Sequence, residues 1–320
     1  MSPGPGADGL GGVDVVVALD VGGTGIKCAL VHPDGTVQHS ERHPTLARRG
    51  PEAVTATILD VAAGLADRAR GAGLTPVAAG VVVPGVVDEE SGIAVWSSNV
   101  GFRDVPLRDL VAKRLGLPAV LGHDVRAGGV AEARLGAGLD QRHVLFIAIG
   151  TGIAAAHVVD GRAFSGAHGA AGEVGHIIVR PGGPACGCGA RGCLESIASA
   201  SAIGRRYTEI SGEEGGTAYD VATRAAAGEE LAGQVWSDAV EALADGLLTA
   251  QALYDAGTVV FGGGLAEAGE ALLSPLRAAL AARTTFHRTP HLVRAALGDT
   301  AGCLGAALLA LDSIQAERTP

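Results

Sequence analysis

Runs of apolar residues alternate along the chain with alanine-rich stretches of helical spacing. In the first half, the apolar runs at residues 13–19, 77–83 and 119–121 predict buried strands, and residues 28–31 and 37 predict antiparallel partners of the first strand. Helical spacing covers residues 54–70, 107–115 and 125–135. This alternation of strands and helices predicts an α/β fold.

The second half is richer in helical patterns, over residues 196–207 and 217–256, followed by a strand at 258–261 and a helix from Glu270. The Gly/Pro-rich tail, residues 1–12, cannot bury a core, so we expect it to be disordered. We expect a small N-terminal lobe over residues 13–123 and a large C-terminal lobe over residues 124–301. A terminal helix within residues 302–320 is expected to pack back on the first lobe.

One segment has a counterpart about 130 positions later. Residues 18–37 read ALDVGGTGIKCALVHPDGTV, and residues 148–164 read AIGTGIAAAHVVDGRAF. Both run from an apolar strand through a Gly/Thr turn into a second strand and then an Asp-Gly turn. The repeat predicts two similarly folded lobes facing each other. Coincidence among glycine-rich hairpins is the alternative that the sequence leaves open.

Composition and charge narrow the class of protein. The chain has 320 residues, 48% of them hydrophobic, and a formal net charge of -10. That acidic balance disfavours nucleic acids and anionic membranes as partners. No signal-peptide pattern is present at the N-terminus, and no apolar run reaches the roughly 18 residues of a membrane span. We therefore expect a soluble cytoplasmic protein that binds neither nucleic acid nor membrane.

Three glycine turns follow predicted strands. They comprise Gly22, Gly23 and Thr24 after Asp20; Gly150, Thr151 and Gly152; and Gly262, Gly263 and Gly264. Glycine permits positive φ and lets backbone amides approach a ligand closely, and Asp20 is placed to orient Mg²⁺ through water. Each turn alone is equally compatible with an ordinary hairpin, and none matches the P-loop or the dinucleotide-binding motif. Together they indicate a nucleotide site.

The densest local signal is the segment EVGHIIVRPGGPACGCGARGCLE, residues 173–195. Within it, His176, Cys186, Cys188 and Cys193 supply one imidazole and three thiols, a donor set suited to tetrahedral Zn²⁺. Four protein ligands leave no open position, so the expected metal is structural. The alternative is three reduced buried thiols near a core histidine.

Three carboxylates accompany these motifs. Glu173 and Glu195 flank the cysteine loop and, with the second ring nitrogen of His176, form an array that could accept hydrogen bonds from sugar hydroxyls. The other interpretation of both glutamates is solvated surface charge. Asp124, between a predicted strand and a predicted helix, is either a general base or the N-cap of that helix, and both roles are compatible.

These residues together resemble the ROK family, named for repressors, open reading frames and kinases, within the actin–hexokinase superfamily. The resemblance runs from Asp20 to the terminal helix. Its most specific part is the pattern ExGH at residues 173–176 followed by CxCGxxGCxE at residues 186–195. It implies a two-lobed actin-like/hexokinase (ribonuclease H-like) ATPase fold with an inter-lobe cleft, and a homodimer or homotetramer.

The resemblance also implies roles for individual residues. Asp20, Gly23 and Thr24 match the first phosphate clamp, Gly150, Thr151 and Gly152 the second, and Gly262 to Gly264 the adenosine loop. Asn99, Glu173, His176 and Glu195 match sugar-binding positions, and Asp124 matches the catalytic aspartate. The implied reaction is transfer of the γ-phosphate of ATP, with Mg²⁺, to the C6 hydroxyl of a free hexose, with glucose as the first candidate.

One departure bears on the substrate. The family pattern at the catalytic aspartate is Asn-Asp-Ala-Asn, whereas this chain has His123-Asp124-Val125-Arg126. The retained aspartate supports catalysis, whereas its altered neighbours weaken the expectation of strict glucose specificity. N-acetylmannosamine, N-acetylglucosamine, fructose and kanosamine remain alternative acceptors, and a non-catalytic sugar-sensing protein remains an alternative function. A ROK repressor is disfavoured, because the residues before the first strand form no basic DNA-binding domain.

Overall fold

A computed structural model of the protein describes residues 12–213 and 216–318. Contacts divide the chain into two compact units: the first runs to Asp124 and includes the chain again from Ala306, and the second is Val125–Gly305. The tail predicted over residues 1–12 lies, apart from Gly12, outside the described residues. None of the helices in the described part of the chain combines the length and apolar character that a membrane span requires.

The first unit contains most of the N-terminal elements. Its strands are β1 (Val13–Val21), β2 (Gly25–Val31), β3 (Val37–Pro44), β4 (Leu74–Val83), β5 (Val86–Asp88), β6 (Ile93–Ser97), β7 (Phe102–Val105) and β8 (Ala119–His123), and its helices include α1 (Pro51–Gly71) and α2 (Leu107–Leu115). Helix α1 begins with Pro51, whose fixed φ suits a first helical position. Its buried stripe, which includes Ile58 and Leu65, packs in one apolar core with the strands β1, β2 and β4.

The second unit begins at Val125, in the first turn of the helix that starts at Asp124. Its elements are α3 (Asp124–Leu135), β9 (His143–Ile149), β10 (Ile153–Val159), β11 (Arg162–Ala163), α4 (Glu195–Ala198), α5 (Ala200–Ser211), α6 (Ala218–Ala226), α7 (Glu230–Tyr254), β12 (Thr258–Gly262), α8 (Glu270–Arg283), β13 (His291–Arg294) and α9 (Ala301–Arg318), whose later part belongs to the first unit. The core of this unit joins β9 and β12 to the long helix α7 through residues such as Leu145, Leu243 and Phe261.

The same strand order occurs in both units. Among the described residues, one sheet has the order β3-β2-β1-β4-β8 and the other the order β11-β10-β9-β12-β13. In each sheet the first three strands are antiparallel neighbours and the last two run parallel to the central one. The repeat predicted from residues 18–37 and 148–164 is thus confirmed at the level of strand order, and the predicted α/β class is confirmed with it.

Candidate active site and metal cluster

The first glycine turn joins β1 to β2 in the first unit. Asp20 pairs across the two strands with Lys27, whose Nζ lies 3.8 Å from the Asp20 Oδ2, and the Gly22 N–H donates to the Gly25 carbonyl at 2.8 Å. The expectation that positive φ is used here is wrong, because none of the turn's glycines is among those with positive φ. Their small size serves a close approach instead: a Cβ on Gly23 would lie 3.2 Å from the carbonyl oxygen of Asn99.

A residue outside every predicted motif holds this turn in place. Thr45, which has no exposed surface, donates its hydroxyl to the Gly22 carbonyl at 2.6 Å and its N–H to the Thr24 carbonyl at 3.2 Å. Thr45 directly follows β3, whose last residue Pro44 pairs with Gly25. No sequence motif marks Thr45, since its role depends on the register of β2 and β3.

Asp124 lies where β8 ends and α3 begins. The His123 Nδ1 is 3.5 Å from the Asp124 Oδ1, and the side chains are 8% and 29% exposed, respectively. The backbone N–H of His123 donates to the Glu89 Oε1 at 3.2 Å. A carboxylate in the first turn of a helix is favoured by the helix dipole, and this one also keeps surface that a substrate hydroxyl can reach. The stabilising and the catalytic interpretations therefore remain compatible.

Arg126, the second departure from the family pattern, contacts a loop. It is 3% exposed, and its Nη1 donates to the Gly169 carbonyl at 2.8 Å. His123 thus adjoins the candidate base, whereas Arg126 binds the backbone of the segment that leads to Glu173. The two residues that depart from the family pattern, His123 and Arg126, therefore contact different parts of the candidate site.

The second glycine turn, between β9 and β10, is bound by the start of the helical region. The Ile153 N–H donates to the Glu195 Oε2 at 2.9 Å, and the Ser201 hydroxyl donates to the Thr151 carbonyl at 2.5 Å. The Ala200 N–H donates to the Gly150 carbonyl at 2.9 Å. The structure therefore brings Glu195 directly to the turn Gly150–Gly152, which the sequence did not predict.

The third glycine turn lies beside the second. Strands β9 and β12 are parallel neighbours, so the turns at their carboxyl ends meet at one edge of the sheet. Gly263 has a φ of 78°, and a Cβ there would lie 2.5 Å from the carbonyl oxygen of Ile149. Only glycine fits that conformation and that contact without strain. Two of the three predicted nucleotide turns are thus adjacent within the second unit.

The four predicted metal ligands form one cluster. The donor atoms of His176, Cys186, Cys188 and Cys193 all lie within 4.8 Å of one another. The Cys186 Sγ is 3.7 Å from the His176 Nδ1, and the Cys188 Sγ is 3.7 Å from the Cys193 Sγ. A tetrahedral site with metal–sulfur bonds of about 2.3 Å has edges close to 3.8 Å, so the spacing fits such a site. The cluster can hold a metal ion.

The thiols of the cluster differ in how readily they lose their protons. Burial, together with the neighbouring thiols of Cys188 and Cys186, raises the pKa of Cys193 to about 12. The backbone N–H of Ala190 holds the pKa of Cys188 below its ordinary value. Thiolates are the metal-binding form of cysteine, so a cation would supply the charge that buried Cys193 needs in order to lose its proton.

The two ring nitrogens of His176 face different groups. The Nδ1 faces the cysteine cluster, and the Nε2 lies 3.8 Å from the Glu173 Oε2. Both side chains are well exposed, 37% for His176 and 47% for Glu173. One ring nitrogen therefore faces the candidate metal ligands and the other faces Glu173, and the use of this second nitrogen for a polar ligand stays a prediction.

Comparison with known proteins agrees with this architecture. A family profile described as ROK family matches residues 16–313. The chain is 33% identical to a glucokinase of Thermotoga maritima over 93% of this chain and 98% of that one. It is also 33% identical to an N-acetylmannosamine kinase of Escherichia coli O1:K1 over 93% of this chain and 99% of that one.

A solved structure adds the fold. The ROK family glucokinase from Streptomyces griseus, in complex with glucose and AMPPNP, aligns with a TM-score of 0.78 at 28% identity, covering 93% of this chain and 99% of that chain. The predicted α/β, actin-like two-domain fold is thereby confirmed.

Proposed function

Because this chain belongs to the ROK family and is one of its sugar kinases, we propose that it transfers the γ-phosphate of ATP to the C6 hydroxyl of a free hexose, with glucose as the acceptor. One observation carries the proposal within the first unit. The turn that we assign to phosphate lies beside the residue that we assign to the sugar, because a Cβ on Gly23 would lie 3.2 Å from the backbone carbonyl oxygen of Asn99. A kinase needs its phosphate-binding and acceptor-binding groups this close, whereas a sugar sensor has no use for the phosphate turn.

Asp124 is the proposed general base. Its partly exposed carboxylate would accept the proton of the sugar hydroxyl as that oxygen attacks the γ-phosphorus. Phosphoryl transfer has a loose transition state, so positioning and charge stabilisation contribute most of the rate enhancement. We therefore assign to Asn99, Glu173, His176 and Glu195 the task of orienting the sugar.

The glycine turns are the proposed nucleotide-binding elements. Backbone N–H groups of the turn after Asp20 and of Gly150–Gly152 would bind phosphates, and the turn Gly262–Gly264 would lie against the adenosine. When bound, Mg²⁺ would supply positive charge to the phosphates, with Asp20 as its partner through water. The AMPPNP bound by the S. griseus glucokinase supports a nucleotide triphosphate as donor.

We propose structural Zn²⁺ as the metal bound by His176, Cys186, Cys188 and Cys193, which we call the His–Cys₃ cluster. The four protein donors would fill the coordination shell that Zn²⁺ prefers and would leave no position for substrate. The metal would fix the ring of His176, so that its Nε2–H as donor and the Glu173 carboxylate as acceptor form a rigid pair for binding sugar hydroxyls.

The test is ADP release with Mg-ATP against a panel of hexoses that includes glucose, mannose, fructose, N-acetylmannosamine, N-acetylglucosamine and kanosamine. We expect turnover of glucose well above the ATPase background, and a loss of orders of magnitude in kcat for Asp124→Asn with little change in sugar affinity. Selective turnover of N-acetylmannosamine would retain the kinase and replace the acceptor. Turnover by Asp124→Asn at the normal rate would remove Asp124 from the mechanism.

A further inference from the structure

A second group of metal-binding side chains lies on strands β2 and β3, outside the proposed active site. In the antiparallel register of these strands, Cys28 pairs with Glu41, and the flanking pairs are Ile26 with His43 and Leu30 with His39. Directly opposed residues project from the same face of a sheet, and residues two apart share that face. Cys28, His39, Glu41 and His43 therefore all project from one face.

The donor atoms of this group are close together. The ligand atoms of Cys28, Glu41 and His43 lie within 4.8 Å of one another. Each carboxylate oxygen of Glu41 contacts a different imidazole: the His43 Nε2 lies 3.1 Å from Oε1, and the His39 Nε2 lies 3.2 Å from Oε2. The carboxylate is thus placed between two imidazoles, and the thiol of Cys28 lies over the same residue, 3.5 Å from its backbone oxygen.

The cluster is accessible on one side and apolar on the other. Cys28 is buried in the core of the first unit, whereas the side chains of His39, Glu41 and His43 retain 34%, 25% and 38% of their surface. Metal sites commonly combine ligands that are fixed from the protein side with an entry path from solvent. The buried thiol and the three polar groups at the sheet edge have this arrangement.

We propose that Cys28, Glu41 and His43 form a second binding site for a borderline-soft divalent cation such as Zn²⁺, with His39 as a hydrogen-bonding partner that orients the Glu41 carboxylate. A sulfur, an imidazole nitrogen and a carboxylate oxygen are ligand types that Zn²⁺ accepts, and a hard cation such as Mg²⁺ would not select the sulfur and the imidazole. The site shares no residue with the His–Cys₃ cluster or with the proposed sugar and nucleotide contacts.

A purely structural role is the competing interpretation. The Arg68 Nη2 lies 3.4 Å from the Glu41 Oε2, so the carboxylate also has a cationic partner. Because β3 is an edge strand, charged side chains on its inner face could serve only to prevent pairing with another chain. Arg68 is 54% exposed, and such a surface ion pair is worth little, so Arg68 can be displaced by a metal at small cost. The thiol and the two imidazoles are not needed for edge protection.

Cobalt binding distinguishes the two interpretations. The full-length protein, purified with the metal of the His–Cys₃ cluster in place, is titrated with Co²⁺, and the d–d and sulfur-to-cobalt charge-transfer bands are followed. Wild type is compared with Glu41→Gln, His43→Ala and Cys28→Ser, and Ser40→Ala is the matched control because Ser40 is exposed on the opposite face of β3. Circular dichroism reports folding, and His43→Ala, which changes an accessible side chain, serves if Glu41→Gln fails to fold.

We expect saturable Co²⁺ binding in wild type and Ser40→Ala, displaced by Zn²⁺, with affinity lowered at least about tenfold in Glu41→Gln and His43→Ala. Cys28→Ser should lose the charge-transfer band. Absence of Co²⁺ binding in wild type, or binding that the Glu41 and His43 variants leave unchanged, would overturn the proposal and leave the cluster as an ion-pair network at the sheet edge.

Discussion

The contact between His123 and Asp124 makes the proposed reaction depend on the charge of an imidazole. The two side chains are 3.5 Å apart, and His123 is almost fully buried. A protonated imidazole would stabilise the carboxylate anion of Asp124 and so weaken it as a base. We therefore expect the pH dependence of sugar phosphorylation to change when this imidazole is removed.

The distance sets the size of the effect. Two unit charges 3.5 Å apart attract by about 1.2 kcal/mol in water and by about 5 kcal/mol at an effective dielectric constant of about 20. One pKa unit corresponds to about 1.4 kcal/mol. The lower value alone predicts that His123→Asn, which removes the charge and restores the family's asparagine, moves the acid limb of the rate profile about one pH unit higher, because Asp124 loses the cation that favours its anion.

The assay is ADP release at saturating ATP, recorded as kcat/KM for the sugar from about pH 5 to about pH 8, the range in which imidazoles titrate. The control is His291→Asn, which changes an exposed histidine in the second unit and should reproduce the wild-type profile. If the wild-type and His123→Asn profiles superimpose, the imidazole does not govern the base and the reasoning from the 3.5 Å contact is wrong.

Three further outcomes are expected. Gly263→Ala should destabilise the protein by roughly 1–3 kcal/mol in urea unfolding, because its φ is 78° and the new Cβ meets the Ile149 carbonyl; unchanged stability would contradict that geometry. Burial lowers the pKa of His157 below 6.5, so the stability that depends on its neutral form is present above pH 6.5 and lost as the pH falls through the lower folded value. His157→Phe, which keeps a ring against Tyr254, should remove that acid-side loss, and equal losses in both proteins would refute it. A chelator that removes the proposed Zn²⁺ from the His–Cys₃ cluster should lower the melting temperature and raise the KM for sugar, both restored by Zn²⁺; an unaffected KM would separate the proposed metal from the sugar site.

Hydrophobic patterning predicted the buried elements well and the edges poorly. Helix α2 has the predicted bounds, Leu107–Leu115, because its apolar spacing is regular and a glycine follows it. The sequence predicted only Val37 of strand β3, since residues 38–43 are polar on both faces and give no apolar signal. The small sheet β5-β6-β7 and strand β13 were missed for a related reason: their strands are short and only partly buried.

The candidate site was predicted as far as its residues follow one another in a motif. The ligands around Cys186 and Cys193 could be found from spacing, and the structure brings them together. Thr45 and Glu89 could not, because each reaches the site only through strand register or a contact across many positions. The contact of Glu195 with the N–H of Ile153 was equally hidden, since 42 positions separate the two residues.

The two departures from the family pattern should therefore have separable effects. The guanidinium of Arg126 donates to the Gly169 carbonyl, four residues before Glu173, and so fixes the segment that presents that carboxylate. Arg126→Asn is too short to keep this hydrogen bond, so the proposed sugar contact at Glu173 should become less well positioned. We expect a KM for sugar raised about tenfold or more, the equivalent of one hydrogen bond to a charged group at about 1.5–3 kcal/mol, with the acid limb of the rate profile unchanged. Arg126→Lys, which keeps a donor, should recover part of the loss. A variant in which kcat and its pH dependence change while KM does not would show that Arg126 acts on Asp124 instead.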